Sequence, residues 1–134
     1  MKDFAIKNDL SEIEILSEDI TNYCKDNGVT EAVCYDIRLA LEEAISNTIK
    51  YGYDDQDSHN IYVRIGIANQ ELLIEIEDDA RAFNPLEVPT PDLSLPVEKK
   101  PIGSLGIYLI RSVMDRVDYH RSGTNNILRL IKVL

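Results

Sequence analysis

The sequence of 134 residues is 44% hydrophobic and 28% charged, which is typical of one globular domain rather than a disordered chain. Its 14 Lys and Arg residues against 24 Asp and Glu residues give a net charge of −10, which argues against direct binding to nucleic acid. No apolar run approaches the roughly 20 residues of a membrane span. The N-terminus lacks the apolar stretch of a signal peptide, so we expect a cytoplasmic protein that does not bind a membrane.

The first half of the chain predicts one strand and two helices. Alternation over residues 4–6 indicates a short strand, and apolar residues recur at three- and four-residue steps over 10–23, the period of an amphipathic helix. A second, longer helix is predicted over residues 30–51. One of its faces is apolar, and a second stripe well round the cylinder carries Glu43 and Asn47. A helix with these two faces suits the wall of a pocket.

The middle of the chain predicts a hairpin followed by a long loop. Residues 61–67 alternate strongly, and residues 72–78 are their hairpin partner across a tight turn at Asn69 and Gln70. Residues 80–102 hold all five prolines and no sustained period. Because loops longer than about 15 residues are unusual inside compact domains and tend to be functional, this segment is interpreted as a lid or binding loop.

The last part of the chain predicts a helix and a closing pair of strands. The helix opens at residues 103–106 and runs to about Met114, and residues 117–119 and 127–133 form the antiparallel pair. The whole order is therefore β-α-α-β-β-loop-α-β-β. It predicts an α+β fold, a two-layer sandwich in which helices cover one face of a mixed, mostly antiparallel sheet.

Three features carry polar groups that suit a ligand. Glu43 and Asn47 are four residues apart on a helix, so their side chains point the same way and suit a hydroxyl and a cation. Asp78 ends a strand, where its carboxylate can accept a hydrogen bond from an exocyclic amine. Residues 103–106 place free backbone amides at the positive end of a helix, which suits phosphate. Taken singly, each also fits an ordinary surface pair, a turn cap or loop punctuation.

The order of these features along the chain carries a resemblance to a known family. Residues 39–53 are similar to the N-box, residues 77–85 resemble the first glycine box, and residues 103–110 resemble the second glycine box of the GHKL, or Bergerat-fold, ATPases. Within that family the chain resembles the anti-sigma-factor serine/threonine kinases of the RsbW type. The likeness extends over nearly the whole chain, so residues 1–134 are interpreted as a single histidine-kinase-like ATPase domain.

The resemblance implies cofactors and roles for individual residues. ATP and Mg²⁺ would bind, with Glu43 as the general base for an incoming hydroxyl and Asn47 as a ligand of Mg²⁺. Asp78 would read the amino group of adenine, and Ala80 would lie beside it in the nucleotide site. The lid would span about residues 83–105. The phosphates would be held by the second glycine box, at Gly103, Ser104, Leu105 and Gly106.

The function that the resemblance implies is regulation of transcription by partner switching. The protein would phosphorylate an anti-anti-sigma partner of the STAS type, sequester a sigma factor, and form a homodimer. Two alternatives stay open. One is a nucleotide-binding or degenerate anti-sigma binding module without phosphotransfer, favoured by Ala80 where the family usually has Gly. The other is a slow ATPase with no protein acceptor.

Overall fold

The computed structural model describes residues 1–96 and 104–134. The strands are β1 (Lys2–Lys7), β2 (Asn60–Ala68), β3 (Glu71–Asp78), β4 (Arg116–Ser122) and β5 (Asn125–Val133). The helices are α1 (Ser11–Asp26), α2 (Glu31–Tyr51) and α3 (Ser104–Val113), with a short 3-10 turn at Pro85–Glu87. These elements follow the predicted order. No helix within the described ranges is long and apolar enough to cross a membrane.

The strands form one five-stranded sheet in the order β1-β2-β3-β5-β4. Every pairing among them is antiparallel. Side chains on one face of the sheet and on the facing sides of the three helices form a single buried cluster. The predicted α+β two-layer fold is therefore confirmed, with a sheet that is antiparallel at each described pair rather than mixed.

The alternation of β3 decides which face Asp78 occupies. Successive side chains of a strand point to opposite faces of the sheet. Leu72, Ile74 and Ile76 are buried beneath the helices, and Asp78 follows at the same parity. Its side chain is therefore turned into the core side of the sheet at the end of the strand, opposite Asn126 of β5.

Helix α2 carries its apolar and polar stripes as predicted. Its N-terminus is capped by Thr30, whose Oγ1 accepts a hydrogen bond of 3.3 Å from the amide of Val33. Three large residues on its inner face are fully buried: Ile37, Leu41 and Ile45. Glu43 and Asn47 lie on the flank of the helix and are half-buried. That flank faces α3, which packs across α2.

Candidate functional site

A cavity opens between α2, α3 and the end of β3. Its empty space, counting the solvent at its mouth, is about 750 Å³. Apolar side chains from several elements line it: Ala44, Pro85, Ile107, Ile110 and Leu128. Asn47, Asp78 and Asn126 also reach it. Two residues that the sequence singled out from separate motifs, Asn47 and Asp78, thus share one cavity.

Asp78 presents one free oxygen inside this largely apolar space. Its Oδ1 accepts hydrogen bonds from the backbone amide of Ala80 at 3.0 Å and from Nδ2 of Asn126 at 2.9 Å. No described residue donates to Oδ2. Burial raises the pKa of the Asp78 carboxyl, and the hydrogen bonds from Asn126 and Ala80 act in the opposite direction. A carboxylate held by one oxygen with the other open is suited to accept from a donor on a ligand.

Asn126 fixes the orientation of that carboxylate, and the sequence analysis assigned it no role. Beyond Asp78, its Nδ2 donates to the carbonyl of Arg81 at 2.9 Å. Its Oδ1 accepts from the Tyr119 hydroxyl at 2.5 Å and from Nη1 of Arg121 at 3.0 Å. Because the partners of Nδ2 are acceptors and the partners of Oδ1 are donors, a flipped amide would lose these bonds, and the side chain has one orientation that satisfies them. Asn126 therefore joins the end of β3 to β4 and β5.

Glu43 and Asn47 meet the first turn of α3 at Gly106. A Cβ atom built on Gly106 would lie 2.7 Å from Oε2 of Glu43 and 3.2 Å from Nδ2 of Asn47. Both side chains therefore occupy space that any larger residue at this position would take. The glycine of the second glycine box is required here for close approach between two helices, and it sets a carboxylate and an amide beside the start of α3.

The start of α3 has unpaired polar groups. Ser104, its first residue, is 1% exposed, and its Oγ is without a hydrogen-bond partner in the described ranges. The same is true of Nδ2 of Asn47. Leaving a buried polar group unpaired costs about 1–3 kcal/mol, so these atoms mark places that a ligand can satisfy. The first amides of a helix favour an anion.

Two other members of the predicted phosphate site stand differently. Leu105 lies in the first turn of α3 with its apolar side chain 38% exposed. Its backbone amide is therefore the group that could contact a phosphate. Gly103 lies outside the described residues. The prediction for Gly103 therefore stays a prediction.

Asn47 also fits the magnesium ion that the family implies. In nucleotide sites Mg²⁺ is held by one or two protein oxygens together with phosphates and waters. Within residues 1–96 and 104–134 there is no group of three or more His, Cys, Asp or Glu that would cage a metal by itself. The amide oxygen of Asn47 and the neighbouring carboxylate of Glu43 are the oxygen ligands that suit a metal shared with a ligand, whereas the unpaired Nδ2 of Asn47 can only donate, to an anion or a water.

Ala80 occupies its place in the first glycine box without backbone strain. Among the described residues, the non-glycine positions with positive φ are Asn69 and Gln70, so Ala80 needs no glycine conformation. Its side chain is buried and lines the cavity. A Cβ atom built on Gly52 would lie 2.8 Å from the Ala80 methyl. The methyl therefore fills the space that the glycine at the end of α2 leaves open.

The predicted lid is described over residues 83–96, and the last two residues assigned to it, Ser104 and Leu105, belong instead to the first turn of α3. The 3-10 turn is capped by Asn84, whose Oδ1 accepts from the amide of Leu86 at 2.9 Å. Further along, Val88 and Pro91 lie with Ile107 of α3 around a separate hollow. Residues 97–103 of the predicted lid lie outside the described residues. The described part of the lid segment thus borders the cavity at Phe83 and Pro85 and continues toward α3.

Comparisons with known proteins identify the family of the chain. The histidine kinase-like ATPase domain matches residues 6–132. The serine-protein kinase RsbW of Listeria monocytogenes serotype 4a is 28% identical over 98 residues, which cover 69% of this chain and 62% of that protein. The protein of the same name from Oceanobacillus iheyensis is 33% identical over 86 residues, which cover 61% of this chain and 54% of that protein. The chain thus spans less than two thirds of the length of these relatives.

Solved structures share the fold. The RsbU and RsbW domains of a Mycobacterium tuberculosis protein match all of this chain with a TM-score of 0.68 and 10% identity, over 33% of that chain. The histidine kinase domain of a blue-light activated kinase from Erythrobacter litoralis matches 93% of this chain, and 60% of that one, with a TM-score of 0.54 and 15% identity. The resemblance drawn from the motifs is confirmed by the match over residues 6–132: the chain belongs to the histidine kinase-like ATPase domain family.

Proposed function

We propose that the protein is an ATP-dependent anti-sigma-factor serine/threonine kinase. It phosphorylates an anti-anti-sigma partner of the STAS type in the cytoplasm and regulates a sigma factor by partner switching. The observation that carries the proposal is the meeting of Glu43 and Asn47 with Gly106 at the start of α3, beside the cavity that contains Asp78. The similarity to proteins named serine-protein kinase RsbW supports the same activity.

The nucleotide lies with its base at Asp78 and its phosphates at α3. Oδ2 of Asp78 accepts a hydrogen bond from the amino group of adenine, and the apolar walls of the cavity cover the ring. The phosphates meet the first amides of α3 and the hydroxyl of Ser104, whose Oγ is buried and unpaired among the described residues. The amide oxygen of Asn47 would be a ligand for Mg²⁺, and the ion would supply positive charge to the phosphates.

Phosphotransfer depends on the carboxylate of Glu43. The oxygen of an incoming serine hydroxyl forms a bond to the γ-phosphorus while the bond from that phosphorus to the β-phosphate oxygen breaks, and ADP leaves. Glu43 accepts the hydroxyl proton. Catalysis of this type rests on positioning and charge stabilisation, so the contact of Glu43 with Gly106 sets the base relative to the phosphates.

The partners follow from the same proposal. A net charge of −10 favours association with a basic surface on a partner protein. The chain acts as a homodimer, and the ATP-bound and ADP-bound forms differ in which partner they bind.

A phosphotransfer assay tests the proposal. The purified protein is incubated with Mg²⁺, ATP labelled on the γ-phosphate and a STAS-type protein encoded nearby in the genome. We expect transfer to a serine of that protein, and loss of transfer in Glu43→Gln with nucleotide binding retained. Glu31→Gln, an exposed change on the same helix, is the matched control.

The other outcomes separate the alternatives. Tight binding of a partner without transfer identifies a binding module that lacks phosphotransfer. Phosphate release that is independent of any partner identifies a slow ATPase. If calorimetry detects no binding of Mg·ATP or Mg·ADP at millimolar nucleotide, the nucleotide site itself is refuted.

A further inference from the structure

A histidine is held between two carboxylates next to the cavity. Nε2 of His59 lies 2.7 Å from Oδ1 of Asp55, and Nδ1 lies 3.0 Å from Oδ2 of Asp79. The imidazole stacks on the ring of Tyr53, with centroids 4.2 Å apart and planes inclined by 20°. The backbone of His59 is also fixed, because its amide donates to Oδ1 of Asn8 and its carbonyl accepts from the Asn8 amide.

This geometry requires the charged form of the ring. A neutral imidazole has one N–H, so with carboxylates at both nitrogens one lone pair would face a negative oxygen. The imidazolium donates to both. The hydrogen bonds to Asp55 and then Asp79 raise the pKa of His59, and the bond to His59 lowers the pKa of Asp55.

His59 lies at the centre of a cluster of charged groups. Asp55 and Tyr53 belong to the α2–β2 loop, in which the amide of Asp57 donates to Oδ1 of Asp55 at 2.9 Å. Asp79 follows β3. The residue that follows β1 and is in hydrogen-bond contact with His59, Asn8, is neutral. The positive charge of the ring is thus balanced by carboxylates from two separate segments.

Both of these segments form part of the cavity wall. Gly52 and the residues after it are joined to the end of β3 by a hydrogen bond of 2.9 Å from the Arg81 amide to the Gly52 carbonyl. An ion pair of 3.2 Å links Arg81 to Asp54. Gly52, Asp78, Ala80 and Arg81 line the cavity. The contact of His59 with Asp79 joins the same two segments, one residue from Asp78.

We propose that His59 is a positioning residue for the nucleotide: its imidazolium ties the α2–β2 loop to the end of β3 and strengthens nucleotide binding at Asp78. The inference rests on the proposed adenine-nucleotide site. Because the bonds to the carboxylates favour the protonated ring, the tie is complete below the ordinary pKa of 6.5 and is lost as the pH rises through the raised value. Nucleotide affinity therefore falls over that same interval.

Calorimetry on the full chain measures this dependence. The dissociation constant of Mg·ADP is determined between about pH 5 and 8, the range in which histidine changes charge, for the wild type and for His59→Gln. Because the variant experiences the same titration of the nucleotide phosphates, the ratio of the two constants isolates His59. We expect the wild type to bind about two- to fivefold more tightly at the acid end, the range that an exposed ion pair supplies, and equally at the alkaline end. His120→Gln, at the exposed histidine on β4, is the control.

The titration of the ring itself gives a second readout that a purely structural role would not change. The chain has two histidines, so the His59 ring signal can be followed by NMR with His120 as an internal reference. Linkage requires saturating Mg·ADP to lower the acid dissociation constant of His59 by the same factor by which protonation strengthens binding, so the pKa rises by the logarithm of that factor. Asp79→Asn keeps the shape of the side chain, and we expect it to lower the pKa of His59. In this background, adding His59→Gln should change the dissociation constant of Mg·ADP by a factor that no longer depends on pH.

The possible failures are distinct. Nucleotide binding with an identical His59 titration in the free and bound protein refutes the positioning role and leaves the nucleotide site intact. A pH-independent affinity ratio does the same. Absence of nucleotide binding in every variant and at every pH refutes both the site and the positioning role.

Discussion

The substitution Asp78→Asn tests the base-reading part of the proposed site with little change of shape. Both hydrogen bonds that fix the side chain arrive at Oδ1, from the Ala80 amide at 3.0 Å and from Nδ2 of Asn126 at 2.9 Å. An asparagine that places its oxygen there keeps both bonds. Its NH₂ group then replaces Oδ2, so an acceptor becomes a donor at the position that faces the nucleotide.

The expected loss of affinity follows from that exchange. A hydrogen bond to a charged acceptor is worth about 1.5–3 kcal/mol, and a buried donor without a partner costs about 1–3 kcal/mol. Together they amount to about 2.5–6 kcal/mol, or about 60- to 20,000-fold in the dissociation constant. Calorimetry with Mg·ADP measures this change. Asp118→Asn, at an exposed carboxylate on β4, is the control, and we expect it to leave the dissociation constant unchanged.

The pH dependence of stability gives an independent check on Asp78. Because burial raises its pKa in the folded protein, the ionised carboxylate disfavours folding at neutral pH, and this cost is relieved as the pH falls through the raised value. In urea unfolding, the stability of Asp78→Asn relative to the wild type should therefore decline as the pH is lowered from about 7.

Nucleotide binding by the variant within about threefold of the wild type would contradict the proposed role of Asp78, since the predicted loss is far larger.

Two further predictions concern glycine geometry. Gly106→Ala puts a methyl 2.7 Å from the Glu43 carboxylate. Since the Glu43 side chain can move aside, we expect folding to persist and phosphotransfer to fall by about 100-fold. A rate equal to that of the wild type would show that the close approach at Gly106 does not position Glu43. Gln70 has a φ of 63° in the β2–β3 turn, so Gln70→Gly should increase the free energy of unfolding by about 0.5–1 kcal/mol. Urea denaturation measures this effect, and a destabilised variant would show that the turn does not carry the strain.

The local parts of the site could be predicted because their signals are local. The four-residue spacing of Glu43 and Asn47 places them on one flank of a helix, and the parity of Asp78 with Ile76 turns it toward the core. Asn69 and Gln70 form the tight turn that the hairpin pattern predicted.

The remaining parts depend on contacts between distant segments. Asn126 lies opposite Asp78 through the pairing of β3 with β5, 48 residues apart in the chain, and no local pattern specifies that register. The fit of the Ala80 methyl against Gly52 likewise joins the end of α2 to the residues after β3. The contact of His59 with Asp55 is local, but those with Asn8 and Asp79 span 51 and 20 residues, so spacing along the sequence could not reveal them.

The position of β5 in the sheet has a consequence for how the domain is made. β5 lies between β3 and β4, so β3 gains its second neighbour only after the ribosome has released residues 125–133. Asn126 arrives with that strand, and until then the carboxylate of Asp78 lacks the group that orients it. Competence of the proposed nucleotide site therefore requires β5 to have docked, and a nucleotide bound there would selectively stabilise chains in which this strand is in place.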